Sequence, residues 1–212
     1  MNDTDRRDTI VRYNASERTN HWIVAICFVL LALSGLALFH PALFWLGNLF
    51  GGGTWTRILH PFIGIVMFAA FVLMAMRLWG DNRMSDSDWK WLKGFRDVAG
   101  NHEENVPEAG RFNGGQKLLF LVLVLCMLGL LLSGIAIWRP YFAPYFPIGL
   151  ARLAADVHAI CAFVMICAII IHVYAGIWVK GSVQAMTRGT VTPGWAWKHH
   201  RAWFRDVIRR GN

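Results

Sequence analysis

Charge is scarce in this sequence. Only 16% of its 212 residues are Asp, Glu, Lys or Arg, against about 25% in a typical soluble domain. A water-exposed globule of this size cannot be coated with so few charges. Intrinsic disorder is excluded as well, because it needs low hydrophobicity and this chain is 56% apolar. Cysteine is also rare. Cys27, Cys126, Cys161 and Cys167 are the only four, and no Cys-x-x-Cys occurs. That spacing excludes an iron–sulfur cluster on this chain, c-type haem attachment and a zinc ribbon. All four fall in apolar runs and read as small buried side chains. Strand-like alternation is missing too. Runs such as CFVLLAL and LLFLVLVLCMLGLLL are apolar on every face, which argues against a membrane β-barrel.

What remains is long and apolar. Spanning a bilayer takes about 20 mostly apolar residues. Four charge-free stretches reach that length, giving spans of roughly 20–40, 58–79, 116–138 and 153–179. The expected fold is all-α: one membrane-embedded four-helix bundle over 1–212. The first span is not expected to be a cleaved signal peptide, because its flank is acidic, its core is too long and no small-residue site follows Phe39. Pro61 is expected in the first turn of the second helix, with His60 opening that helix. Four helices put both termini on one side. That side and the 2–3 loop hold eighteen Lys and Arg, including Arg6, Arg7, Arg12, Arg18 and Lys117, against three (Arg57, Arg139, Arg152) on the other. The bias places both termini and the 2–3 loop in the cytoplasm. The net charge of +8 therefore reads as topology and contact with anionic lipid, with no nucleic-acid partner. Two connections have character of their own. The segment 138–147, WRPYFAPYFP, suits an interfacial cap, and Trp89, Trp91, Leu92 and Phe95 give the 80–116 loop the look of an amphipathic surface helix.

Ionisable residues within spans are costly and mark function by default. Here they are almost all histidine. His158 and His172 lie 14 residues apart on the fourth helix, about 3.9 turns and about 21 Å along the axis, so both rings face nearly the same way near opposite leaflets. Two b-type haems stacked across a membrane need this arrangement, each with a second axial ligand from another helix. Level by level, His60 pairs with His158 for an outer haem and His21 with His172 for an inner one. His21 follows Arg18 too closely to match the depth of His172 unless the first helix begins earlier than its hydropathy suggests. The alternative is four hydrogen-bonded packing histidines. Zinc or copper also binds imidazole, but residues 14 apart on one helix cannot share one ion. Gly35, Gly64, Gly134 and Gly176 either make room for a macrocycle or serve ordinary close helix packing. Arg18, Arg57 and Arg139 are candidate propionate partners or plain interface anchors. In RFNGGQK (111–117), Asn113 and Gln116 are candidate quinone ligands, or Asn113 simply caps the third helix.

The stretches NHW (20–22), ALSG (32–35), RILHPFIGI (57–65), RFNGGQK (111–117), SGIAIWRPYFAPYFP (133–147), and IHVYAGIWVKGS (171–182) through WAWKHH (195–200) run along nearly the whole chain. Together they resemble the cytochrome b (gamma) subunit of membrane-bound respiratory formate dehydrogenase. The resemblance implies two haems b on His21, His60, His158 and His172, with His40 not a ligand. It implies reduction of menaquinone, or ubiquinone, near the inner haem in a pocket that includes Asn113 and Gln116. It further implies a bacterial cytoplasmic membrane, an iron–sulfur beta subunit with one membrane helix, a molybdenum or tungsten catalytic alpha subunit outside, and an anionic lipid such as cardiolipin at subunit contacts. The competing readings are a hydrogenase or related reductase cytochrome b, a stand-alone b561-type oxidoreductase, and a haem-free scaffold or transporter. No span has the mid-helix breaks that a transporter site uses.

Overall fold

The computed structural model describes residues 9–100 and 102–211; Arg6 and Arg7 of the charge balance lie outside the described residues. Strand β1 (Ile10–Val11) precedes helix α1 (Ala15–Phe39), a 3-10 segment (Pro41–Phe50) and α2 (Gly53–Leu78). Then come the short α3 (Asp86–Lys93) and α4 (Phe95–Ala99), followed by α5 (Gly114–Ile137) and α6 (Ile148–Trp178). The tail holds α7 (Ser182–Arg188), β2 (Thr190–Val191), α8 (Pro193–His199) and α9 (Arg201–Gly211). Helices α1, α2, α5 and α6 are each long and apolar enough to cross a membrane, as expected.

Their boundaries differ from hydropathy at the N-terminal ends. Helix α1 starts at Ala15 because Asn14 and Glu17 form a reciprocal cap, each backbone N–H donating to the other's side-chain oxygen at 2.8–2.9 Å. Polar capping residues lie outside any hydropathy window, so the earlier start was visible only as the mismatch in depth of His21. Helix α2 corrects an expectation outright. It begins at Gly53, so Pro61 lies inside it and His60 does not open it. Proline is tolerated within a membrane helix, where neighbouring groups re-satisfy the freed carbonyl. Two glycines of positive φ, Gly51 (85°) and Gly52 (96°), turn the 3-10 segment into α2.

The chain divides into two compact units. The first is the helix bundle, residues 19–76 and 122–171. Its core is small: Met67, Phe71, Cys126, Met127 and Met165, with Val24, Phe28 and Leu31 of α1 against it. Cys126 thus packs as an apolar group. Most other apolar side chains point outward; Leu132 is 67% and Phe163 69% exposed, which suits a solvent of hydrocarbon rather than water. Asn20 donates to the Ala70 carbonyl at 2.9 Å, tying α1 to α2.

The second unit comprises residues up to Arg18, 77–121 and 172 onward. Here β1 pairs antiparallel with β2, Ile10 opposite Val191 and Val11 opposite Thr190, so the two tails meet on one side. Gly189, with φ of 86°, makes the entry to β2; a Cβ there would stand 2.6 Å from the Tyr13 carbonyl. Arg12 is buried, its guanidinium 4.4 Å from the Trp203 ring centre and flanked by Phe112 and Trp195. It donates to the Arg111 carbonyl, while Arg111 itself bridges Glu17 and Asp81 at 2.8 Å each. Arg18 donates to the Thr187 carbonyl at 2.6 Å and so is engaged in the tails. In the 2–3 loop, where one amphipathic surface helix was expected, the apolar residues fall on two short helices: Trp91 of α3 is buried, while Trp89 of α3 and Phe95 of α4 are exposed. Trp91 packs directly on Gly114 and Gly115, where a Cβ would come within 3.1–3.2 Å of its ring. Lys117 then locks α3 to α5 through Asp88 at 2.7 Å.

His200, between α8 and α9, is 2% exposed and its Nδ1 pairs with the Gly110 carbonyl at 2.8 Å. Burial, reinforced by the Arg12 charge, pushes its pKa down to about 3. The unfolded chain takes up this proton near pH 6.5, whereas the fold refuses it. The neutral ring's contribution is therefore complete above about pH 6.5 and falls as pH drops towards 3, by up to about 1.4 kcal/mol per pH unit. Thermal unfolding of the detergent-purified chain is expected to show stability declining between pH 7 and pH 5. His200→Gln is expected to have a shallower slope in that window; identical slopes would contradict the assignment.

Candidate functional site

Of the six residues singled out for chemistry, the bundle unit brings two together. His60 on α2 and His158 on α6 face each other with ring centroids 6.3 Å apart and planes inclined at 63°. That gap is within the range of an edge-to-face ring contact. It also matches the gap a shared metal sets: about 2 Å from each coordinating nitrogen, with each nitrogen about 1.1 Å from its ring centre, gives a little over 6 Å.

Both rings are oriented by a serine. Ser34 of α1 lies 2.7 Å from His60 Nδ1, and Ser133 of α5 lies 3.0 Å from His158 Nδ1. Each hydroxyl also reaches a backbone carbonyl of its own helix, Leu30 at 2.8 Å for Ser34 and Gly129 for Ser133. A carbonyl can only accept, so the single hydroxyl proton goes there. The histidine must then donate from Nδ1, which leaves the Nε2 lone pair of both rings for a ligand. The glycine after each serine completes the seat. A Cβ on Gly35 or on Gly134 would come within 3.3 Å of Cε1 of His60 or of His158.

Two neutral imidazoles are an incomplete shell for a bare ion. Among the described residues no three His, Cys, Asp or Glu side chains converge as a metal site, whereas zinc takes at least three protein ligands. A porphyrin supplies four equatorial nitrogens of its own and asks the protein for axial imidazoles only. The donor set therefore fits haem and does not fit zinc.

The other singled-out residues stand elsewhere. His21 lies in the bundle unit on α1, its ring edge-on to Trp22 at 5.6 Å, and His172 lies on α6 in the second unit. Asn113 and Gln116, in the second unit, form a reciprocal cap at the start of α5. Gln116 N–H donates to Asn113 Oδ1 at 2.9 Å and Asn113 N–H to Gln116 Oε1 at 3.0 Å. Their oxygens serve the helix, and the amide nitrogens are the groups that can serve a ligand. His40 is exposed and accepts from the Ala42 N–H at 3.2 Å as the cap of the 3-10 segment. Of the glycines, Gly35 and Gly134 abut imidazoles, while a Cβ on Gly64 would stand 4.0 Å from Leu31 and one on Gly176 would meet no neighbouring group within 4 Å.

A family model described as prokaryotic cytochrome b561 matches residues 12–189. The chain belongs to the prokaryotic cytochrome b561 family. Its relatives include the formate dehydrogenase cytochrome b556(fdo) subunit of Escherichia coli K12, 48% identical over 202 residues, 95% of each chain. The nitrate-inducible formate dehydrogenase cytochrome b556(Fdn) subunit of the same strain is 42% identical over 93% of this chain and 91% of its own. The formate dehydrogenase cytochrome b556 subunit of Haemophilus influenzae is 40% identical over 94% and 84%. The resemblance read from the motifs is borne out at full length, and the four apolar helices make this cytochrome b an integral membrane protein. Haem b is the cofactor its family implies, and His60 with His158 fits it.

Residues Ser34 and Ser133 were missed as functional in the sequence. The signal was there as the recurring Ser-Gly pair of ALSG and LLSG, each in an otherwise apolar helix. Overpacking a close approach costs about 1–3 kcal/mol. Gly35→Val and Gly134→Val are therefore expected to lower haem b in membranes, read from reduced-minus-oxidised spectra, with chain level unchanged. Wild-type haem content in both would contradict the site.

Proposed function

We propose that the chain is the membrane cytochrome b subunit of a bacterial formate dehydrogenase, working as one module over 1–212. It takes electrons from an iron–sulfur beta subunit at the outer face of the cytoplasmic membrane and delivers them to menaquinone, or ubiquinone, on the cytoplasmic side. Formate is oxidised on a molybdenum or tungsten alpha subunit. The facing pair His60 and His158 is the observation that carries this reading. The identity to formate dehydrogenase subunits favours formate over hydrogen as the donor.

Haem b, when bound, supplies reversible one-electron chemistry. This chain's residues do the rest. His60 and His158 hold the outer haem. His21 and His172 hold the inner one, His172 being fourteen residues further along α6. Asn113 and Gln116 present their amide N–H groups to the quinone carbonyls without giving up the cap. Inward electron movement works against roughly 2.3 kcal/mol per 100 mV, and proton uptake from the cytoplasm by the reduced quinone adds to the charge separated. The tails, with their basic residues, face the cytoplasm and contact anionic lipid such as cardiolipin.

In the assembled complex, His172→Ala is expected to lose the inner haem and quinone reduction while formate still reduces the outer haem. Unchanged haem content would refute the ligand set. Asn113→Asp and Gln116→Glu keep both capping oxygens and delete the amide donors. Each is expected to lower quinone reduction about tenfold, the equivalent of one net hydrogen bond, at unchanged melting temperature. Full quinone activity in both variants would move the quinone site elsewhere.

A further inference from the structure

The two halves of the bundle unit repeat one device. In α1 and α2, Ser34–Gly35 meets His60, 26 residues on. In α5 and α6, Ser133–Gly134 meets His158, 25 residues on. Each serine is buried, 0% and 5% exposed, deep in an apolar helix where a hydroxyl has no packing advantage over alanine. Each hydroxyl proton is spent on the carbonyl four residues back. Each oxygen meets a histidine Nδ1 within 3.0 Å. Each following glycine lets Cε1 of the same ring approach to where a Cβ would be 3.3 Å away. Two independent helix pairs with the same four features point to selection for the imidazole's setting rather than for local packing.

From this geometry we infer that Ser34 and Ser133 are positioning residues for the axial imidazoles of the outer haem, fixing their tautomer, their ring planes and their donor strength. The inference rests on His60 and His158 being the outer ligands. An Nδ1–H donated to an acceptor makes the imidazole a stronger donor at Nε2 and holds it in one orientation. A hydroxyl oxygen that has already given its proton to a carbonyl is a neutral acceptor, weaker than the carboxylates that often hold metal-bound histidines. The ligands therefore stabilise the oxidised iron only modestly, and the haem keeps a higher potential than a carboxylate-backed pair would give. That suits a neutral pair in hydrocarbon, where a carboxylate would be costly to bury. The glycines allow the ring to stand beside its serine, and the 63° between the two planes follows from two separately anchored rings.

The test compares Ser34→Ala and Ser133→Ala with Ser34→Thr and Ser133→Thr in the intact complex. The readouts are the redox titration of each haem and the low-spin ferric EPR signal, which reports the angle between axial ring planes. Loss of the hydroxyl is expected to raise the potential of the outer haem, or to lose that haem, and to move its EPR signal. Threonine, which keeps the hydroxyl, is expected to restore wild-type values, and the inner haem is expected to stay unchanged throughout. Wild-type potential and EPR signal in both alanine variants would overturn the inference. So would equal effects of alanine and threonine, which would assign the serines to packing, or equal effects on both haems. Complexes in which His60→Ala and His158→Ala still hold both haems would instead refute the ligand assignment itself.

Discussion

An imidazole placed in hydrocarbon must have both of its nitrogens accounted for, and the rest of this structure is arranged around that demand. Water is not there to satisfy an Nδ1–H, and an unsatisfied donor buried away from water costs several kcal/mol. His60 and His158 meet the demand on one side with a serine oxygen. The Nε2 of each ring then carries the lone pair that the proposed haem would take. With the serine's own proton on a carbonyl, Nδ1 is the donor, and the direction of the Nε2 lone pairs follows from the positions of α1 and α5. A residue that looks like filler in a leucine-rich helix thereby decides what the conspicuous histidine can do.

The bundle has little else to organise it. Its buried core cluster is five residues, all of them sulfur-bearing or aromatic rather than branched aliphatic, and its helices are apolar on all faces. In lipid, burying leucine gains little over leaving it exposed, so close approach at small residues and polar pairing inside the bundle take over. Glycines serve that purpose where a ring must come near, at Gly35 and Gly134. The second unit follows the rules of water instead. It holds the ion pairs, an arginine stacked among aromatic rings, and capping boxes. Asn113 and Gln116 lie there, each accepting the other's backbone N–H with a side-chain oxygen to cap the start of α5.

Much of this was legible in the sequence. The four spans follow from charge-free lengths, and depth alone put His60 level with His158, whose ring it faces. Three things were not legible, for physical reasons. Helix ends are set by capping groups such as Asn14 and Glu17 and not by hydropathy, so α1, α2 and α6 all begin about five residues early. Proline at 61 was read by the rules of water-soluble helices, which a membrane relaxes. The pairing of Ile10–Val11 with Thr190–Val191 joins segments nearly a chain length apart and leaves no local pattern. The serines belong to a fourth class. Ser34 and Ser133 stand in ALSG and SGIAIW, two of the stretches that carry the resemblance, but a serine's role depends on which carbonyl takes its proton, and that appears only in three dimensions.

The most direct measurement is a density map of the assembled complex at a resolution that separates ring atoms. It is expected to show a porphyrin between α2 and α6, its iron about 2 Å from Nε2 of both His60 and His158, with each Nδ1 on its serine. A map in which those two rings contact no iron, or coordinate through Nδ1 with the serines turned away, would contradict the assignment on which the proposed electron path rests.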